Sequence, residues 1–130
     1  AGSILFTADL IREISIPIHL YAVTVSSYNG EKTSSGTLNI NGQIPDCENK
    51  NILIVDDIND TGATLDWIIN DWQASCLPFD PDWDHVWGNN VRFAVLIDNL
   101  SSNFSRKVDY CGKEINKAER DVWIVYPWER

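Results

Sequence analysis

Three carboxylates stand within five positions of one another in this chain: Asp56, Asp57 and Asp60, followed directly by Thr61, Gly62, Ala63 and Thr64. Adjacent carboxylates accept hydrogen bonds from two neighbouring hydroxyls, and they hold Mg2+ directly or through water. The backbone amides of 60–64, with the hydroxyls of Thr61 and Thr64, offer donors without bulk at the start of a helix, where a monophosphate is stabilised. Gly62 lets the backbone come close to a ligand. Together these groups have the chemistry to hold a ribose 5-phosphate from both ends. The other reading of Asp-Asp-x-x-Asp-Thr is a capping turn with a solvated acidic face.

The elements that must position these groups are legible on either side. Residues 52–55 are a continuous apolar run, the pattern of a buried parallel strand. Residues 62–74 carry Leu65, Ile68, Ile69 and Trp72 at helical offsets. Trp67 falls off that face and suggests a contact surface. Residues 4–14 read as a short helix with Thr7, Leu10, Ile11 and Ile14 on one face, stopped by Pro17. Strands are expected at 18–26, 37–40, 91–97, 108–111 and 122–126. Residues 28–36 read as a polar loop and 41–50 as a turn-rich link. Residues 77–90 form a long connection with two prolines and two tryptophans, either functional or packed by its aromatics.

This order predicts an α/β fold, a mainly parallel twisted sheet flanked by helices, Rossmann-like, in a single domain over 1–130. In such sheets ligands gather beyond the carboxyl ends of the strands. Asp56, Asp57 and Asp60 are expected at one such end, and Asp98 and Asn99 at another.

Bulk properties narrow the function. The chain has 130 residues, 44% hydrophobic residues, six tryptophans and a formal net charge of -9. That charge disfavours nucleic acid and anionic membranes as partners. A polyphosphate ligand stays compatible, through Mg2+, backbone amides and a helix N-terminus. Cys47, Cys76 and Cys111 lack metal-ligand spacing and read as isolated thiols of a cytoplasmic protein. His19 and His85 have no catalytic neighbour in sequence and read as structural.

The run NILIVDDINDTGATL at 51–65 resembles the phosphoribosyl-pyrophosphate (PRPP) signature of type I phosphoribosyltransferases. Within that family the chain looks most like the hypoxanthine-guanine and xanthine-guanine branch. GSILFTADLIREISIPI resembles the helix after the branch's pyrophosphate-binding loop, and SSYNGEKTSSGTL its flexible loop. VDYCGKEI resembles the segment after the base-binding strand, and DVWIVYPWE the closing strand.

The resemblance implies the transfer of a 5-phosphoribosyl group from PRPP to a purine-type nucleobase, with Mg2+, in nucleotide salvage. It implies that Asp56 and Asp57 hold the ribose hydroxyls and the Mg2+-bound substrate. It makes Asp60 the general base near the purine, and 60–64 the 5-phosphate site. Ser27 and Tyr28 would lie on a loop closing over PRPP, Trp123 would stack on the base, and the backbone of Ile124 would read its edge. A homodimer is also implied. Ala1 and Gly2 stand where the pyrophosphate loop is expected, so the resemblance implies an N-terminally truncated chain. Asn99 stands where the branch places a base-reading lysine, which leaves the base open.

Two alternatives remain at this level. One is a regulatory module of the same fold that binds PRPP or a nucleotide without chemistry. The other is a response-regulator-like receiver domain with Asp98 as phosphoacceptor. Against the receiver, fifty residues precede the strand, and a receiver has no use for the Asp-Thr-Gly-x-Thr turn.

Overall fold

The computed structural model describes residues 3–27, 38–41, 51–75, 85–120 and 124–126. The expectations placed on Ala1, Gly2, Tyr28, Trp123 and most of the 28–37, 41–50 and 77–90 connections lie outside these residues.

The described elements, in chain order, are helix α1 (Ser3–Arg12), strands β1 (Thr24–Ser27), β2 (Leu38–Asn41) and β3 (Ile52–Asn59), helix α2 (Ala63–Ser75), and strands β4 (Val91–Asn99) and β5 (Tyr110–Ile115). β3, β4 and β5 form a three-stranded parallel sheet with β4 in the middle. β1 and β2 pair antiparallel as a separate two-stranded sheet. The α/β class holds.

β4 is the most buried strand of this sheet, and its composition explains why. Val91, Phe93, Val95 and Ile97 are buried on one face, while the other carries buried Ala94, partly buried Leu96 and Asp98, and exposed Arg92. α2 bridges β3 to β4 and lays Leu65, Ile68, Ile69 and Trp72 on this core. Trp67 packs against the same cluster while staying partly exposed. Trp87 stacks on Phe93 at 5.7 Å between centroids, lies 6.2 Å from Trp72, and donates its indole N–H to Gln73 at 2.9 Å. The end of the 77–90 connection is therefore packed by its aromatic residue. α1 lies against β3 without burying any residue fully.

Four expectations about elements change. The strand expected at 18–26 reduces to β1, and Ile18, Leu20, Tyr21 and Val23 are exposed, because no ladder partner lies beside them among the described residues. β3 continues four residues past Val55, held in register by Asp56 against Val95 and Ile58 against Ile97. The strand expected at 108–111 shifts to 110–115, where it pairs with 94–99 of β4. In the segment expected as a closing strand at 122–126, residues 124–126 are described and carry no strand pairing.

Candidate active site

The extension of β3 changes the setting of the first two carboxylates. Asp56 and Asp57 lie on the last turns of a paired strand and are partly buried rather than solvated. Burial, reinforced by the side-chain hydrogen bond and the charge of neighbouring Asp57, pushes the Asp56 carboxyl up from 3.8 to about 7. Its Oδ1 accepts the Asp57 N–H at 2.8 Å, which offsets part of that rise. The Asp57 carbonyl accepts the hydroxyl of buried Tyr126 at 3.1 Å, so the C-terminal segment is tied to the end of β3.

The turn from β3 into α2 spans Asp60, Thr61 and Gly62. Thr61 Oγ1 accepts the Ala63 N–H at 3.2 Å, and the Asp66 N–H reaches the Gly62 carbonyl at 3.0 Å to close the first helical turn. Gly62 is buried with φ of 93°, a region that suits glycine. A Cβ there would sit 2.6 Å from Phe104 Cα and closer still to its nitrogen. The glycine is thus required by the backbone of the β4–β5 connection, which lies across it. That connection is clamped to α2: the Asn103 N–H donates to the Thr61 carbonyl at 2.9 Å, and Ser105 donates its N–H and its hydroxyl to the Asp66 carboxylate.

Residues 56–65 line a hollow of about 190 Å3, room for part of a nucleotide. A larger hollow of about 490 Å3 lies among Trp87, Phe93, Lys107 and Asp109. It sits beside the amino ends of β4 and β5, away from the carboxylates, so size does not identify the chemistry. Placement at the carboxyl ends of parallel strands does.

Two residues from neighbouring strand ends converge on Asp60. Asn99, at the end of β4, is buried, and its amide nitrogen donates to the Asp60 carbonyl at 2.9 Å and to Oδ1 at 3.2 Å. Its oxygen accepts from the N–H and hydroxyl of Ser101 and from the Lys117 N–H. Asn99 therefore meets the site through Asp60 rather than facing open space. Lys117, just past β5, places its ammonium 3.0 Å from Asp60 Oδ2, with the lysine side chain 22% exposed.

Reading by sequence missed Lys117. The signal was available once VDYCGKEI is read as a strand through Ile115, because the lysine then follows the carboxyl end of a third parallel strand. Asp98, the phosphoacceptor of the receiver alternative, is engaged at Oδ1 by Asn59 Nδ2 at 2.9 Å. Ser27 ends β1, and Ile124 is partly buried near Tyr126.

Comparison with known proteins supplies the family. Two hypoxanthine-guanine phosphoribosyltransferases are similar along nearly all of this chain. That of Mycobacterium tuberculosis is 38% identical over 133 residues, covering 95% of this chain and 63% of that protein. That of Staphylococcus epidermidis is 32% identical over 125 residues, covering 95% and 62%. The chain thus spans about three fifths of the length of these relatives. Among solved structures, a hypoxanthine phosphoribosyltransferase from Staphylococcus aureus superposes with a TM-score of 0.65 at 29% identity, covering 89% of this chain and 58% of that one. No described helix is long and apolar enough to cross a membrane. Residues 1–128 match the family described as Phosphoribosyl transferase domain, and with the acidic β3–α2 turn at the carboxyl edge of a parallel sheet, the chain belongs to that family.

Proposed function

We propose that this chain carries the phosphoribosyl-binding and base-activating part of a purine-type phosphoribosyltransferase, with PRPP as donor and a nucleobase as acceptor. The observation that carries the reading is the hollow lined by residues 56–65, which brings three aspartates together with the start of α2. In this reading the bond from ribose C1 to pyrophosphate breaks, the bond from C1 to a ring nitrogen of the base forms, and Asp60 accepts the proton that this nitrogen loses. Positive charge develops on the ribose as pyrophosphate departs, and the fixed carboxylates of Asp56 and Asp57 stabilise it. Thr61 to Thr64 hold the 5-phosphate at the start of α2.

The residues present fit a divalent cation. Asp56 and Asp57 are adjacent oxygen donors, and burial, with the hydrogen bond and charge of Asp57, raises the Asp56 carboxyl, a cost that a bound cation would offset. They would hold Mg2+, which neutralises polyphosphate charge when bound. Ser27, Tyr28, Trp123 and Ile124 are assigned to the covering loop and the base site on family resemblance alone, and so are Ala1 and Gly2 to the pyrophosphate site.

A nucleotide-binding module without turnover is the second reading, favoured by one observation: both oxygens of the Asp60 carboxylate are already hydrogen-bonded. Turnover of PRPP and Mg2+ with a panel of purine bases separates the two. The expected result is nucleoside monophosphate formation, reduced about a hundredfold or more in Asp60→Asn. No product with any base, or a variant as active as the parent, defeats the catalytic reading. Binding of nucleotide without product supports the second.

A further inference from the structure

We infer that Lys117 is a positioning residue that acts on the ligand through Asp60, fixing that carboxylate in orientation and balancing its charge. The inference rests on the reading of the acidic turn as a nucleotide site.

A lone carboxylate on a short side chain rotates between rotamers, and a proton acceptor is useful only when its lone pairs are aimed. Here each Asp60 oxygen has its own anchor. Asn99 Nδ2 stands 3.2 Å from Oδ1, and Lys117 Nζ stands 3.0 Å from Oδ2. The anchors are themselves joined, because Asn99 Oδ1 accepts the Lys117 N–H at 3.0 Å. The amide that orients one oxygen therefore also locates the backbone of the lysine that orients the other. β4 and β5 run side by side into this point, with Asn99 paired to Ile115.

The ammonium has a second effect. Asp56, Asp57 and Asp60 line one hollow, and a 5-phosphate must approach all three. A cation held against Asp60, with its side chain 22% exposed, cancels one of these charges where solvent screening is reduced. Each carboxylate oxygen has two lone-pair sites, so both anchors leave acceptor capacity free for a ligand N–H.

The test is a double-mutant cycle on nucleotide affinity, which separates action through Asp60 from direct contact. Binding of inosine 5′-monophosphate with Mg2+ is measured by calorimetry on the 130-residue chain and on its Lys117→Met, Asp60→Asn and doubly substituted forms. Tryptophan fluorescence verifies that each form is folded. Lys117→Met is expected to weaken binding about tenfold in the parent, the scale of one charge-assisted hydrogen bond, and less than about twofold beside Asp60→Asn. Lys117→Arg, which keeps the charge, is expected to recover most of the loss.

Equal losses in both backgrounds would show that Lys117 meets the ligand on its own, and no loss in either would make the ion pair incidental. Each overturns the inference while leaving the nucleotide site standing. A parent chain that binds no nucleotide overturns the site itself, and the inference with it. If Asp60→Asn alone abolishes binding, the same cycle is read on PRPP affinity, with the same two overturning results.

Discussion

At the scale of single residues, Asp56 couples the site to pH. Its carboxyl is raised to about 7, chiefly by burial, so between the unfolded value near 3.8 and 7 the folded chain binds more protons than the unfolded chain. Stability from this group is therefore full below about pH 4 and is lost as pH rises through 7, the reverse of a salt-bridged aspartate. Asp56→Asn removes the titrating group while keeping its size. The variant is expected to gain stability over the parent as pH rises from 5 to 8, by about 1–2 kcal/mol after allowance for residual solvent screening. Urea midpoints of both proteins at pH 5, 6, 7 and 8 check this, and parallel pH curves would reject it. The sequence named Asp56 but not its state. Its burial comes from β3 running on past Val55, and polar letters after an apolar run look like a turn. Register against Val95, nearly forty positions away, overrides that local signal.

At the scale of elements, the site is a meeting of three strand ends, and the β4–β5 connection closes it. Gly62 is the pivot, because the backbone of Asn103 and Phe104 lies where its Cβ would be. Gly62→Ala combines a left-handed φ with a backbone clash, and is expected to cost about 3 kcal/mol in urea unfolding. It should also weaken phosphate binding by displacing the connection that Asp66 clamps. Gly88 is the internal control: its φ is 82°, but a Cβ there meets only Asp109 Oδ1, at 3.8 Å. Gly88→Ala should cost about 1 kcal/mol, the left-handed backbone penalty alone. Equal costs at the two positions would show that the contact with Phe104 is unimportant. α2, β4 and the strand before the acidic turn were legible because each carries its own local apolar pattern. The pairing of Lys117 with Asp60 was not, since the two lie 57 residues apart and no local pattern connects them. The likeness of Asp-Asp-x-x-Asp-Thr to a known signature supports the phosphate end proposed for the site, while the ion pair of Lys117 with Asp60 is a tertiary fact.

At the scale of the whole molecule, the chain is strongly acidic, yet the ligand proposed for it is a polyanion. With a net charge of -9, its long-range field opposes an approaching phosphate. In the proposed site, attraction would be left to groups that act at contact: the amides at the start of α2, a divalent cation held by Asp56 and Asp57, and the charge balance of Asp60 with Lys117. These two contributions respond differently to salt. Repulsion across solvent is screened, as the Debye length falls from about 30 Å at 0.01 M to about 8 Å at 0.15 M. Half-buried pairs such as Lys117 with Asp60 are screened far less. Association of guanosine 5′-monophosphate at constant free Mg2+ is therefore expected to accelerate severalfold as KCl rises from 10 to 150 mM, with dissociation nearly unchanged. Stopped-flow tryptophan fluorescence reads both rates. A basic phosphate-binding surface gives the opposite slope. Finding that slope here would mean that a local positive field at the mouth of the site, not the acidic surface, governs how the ligand arrives.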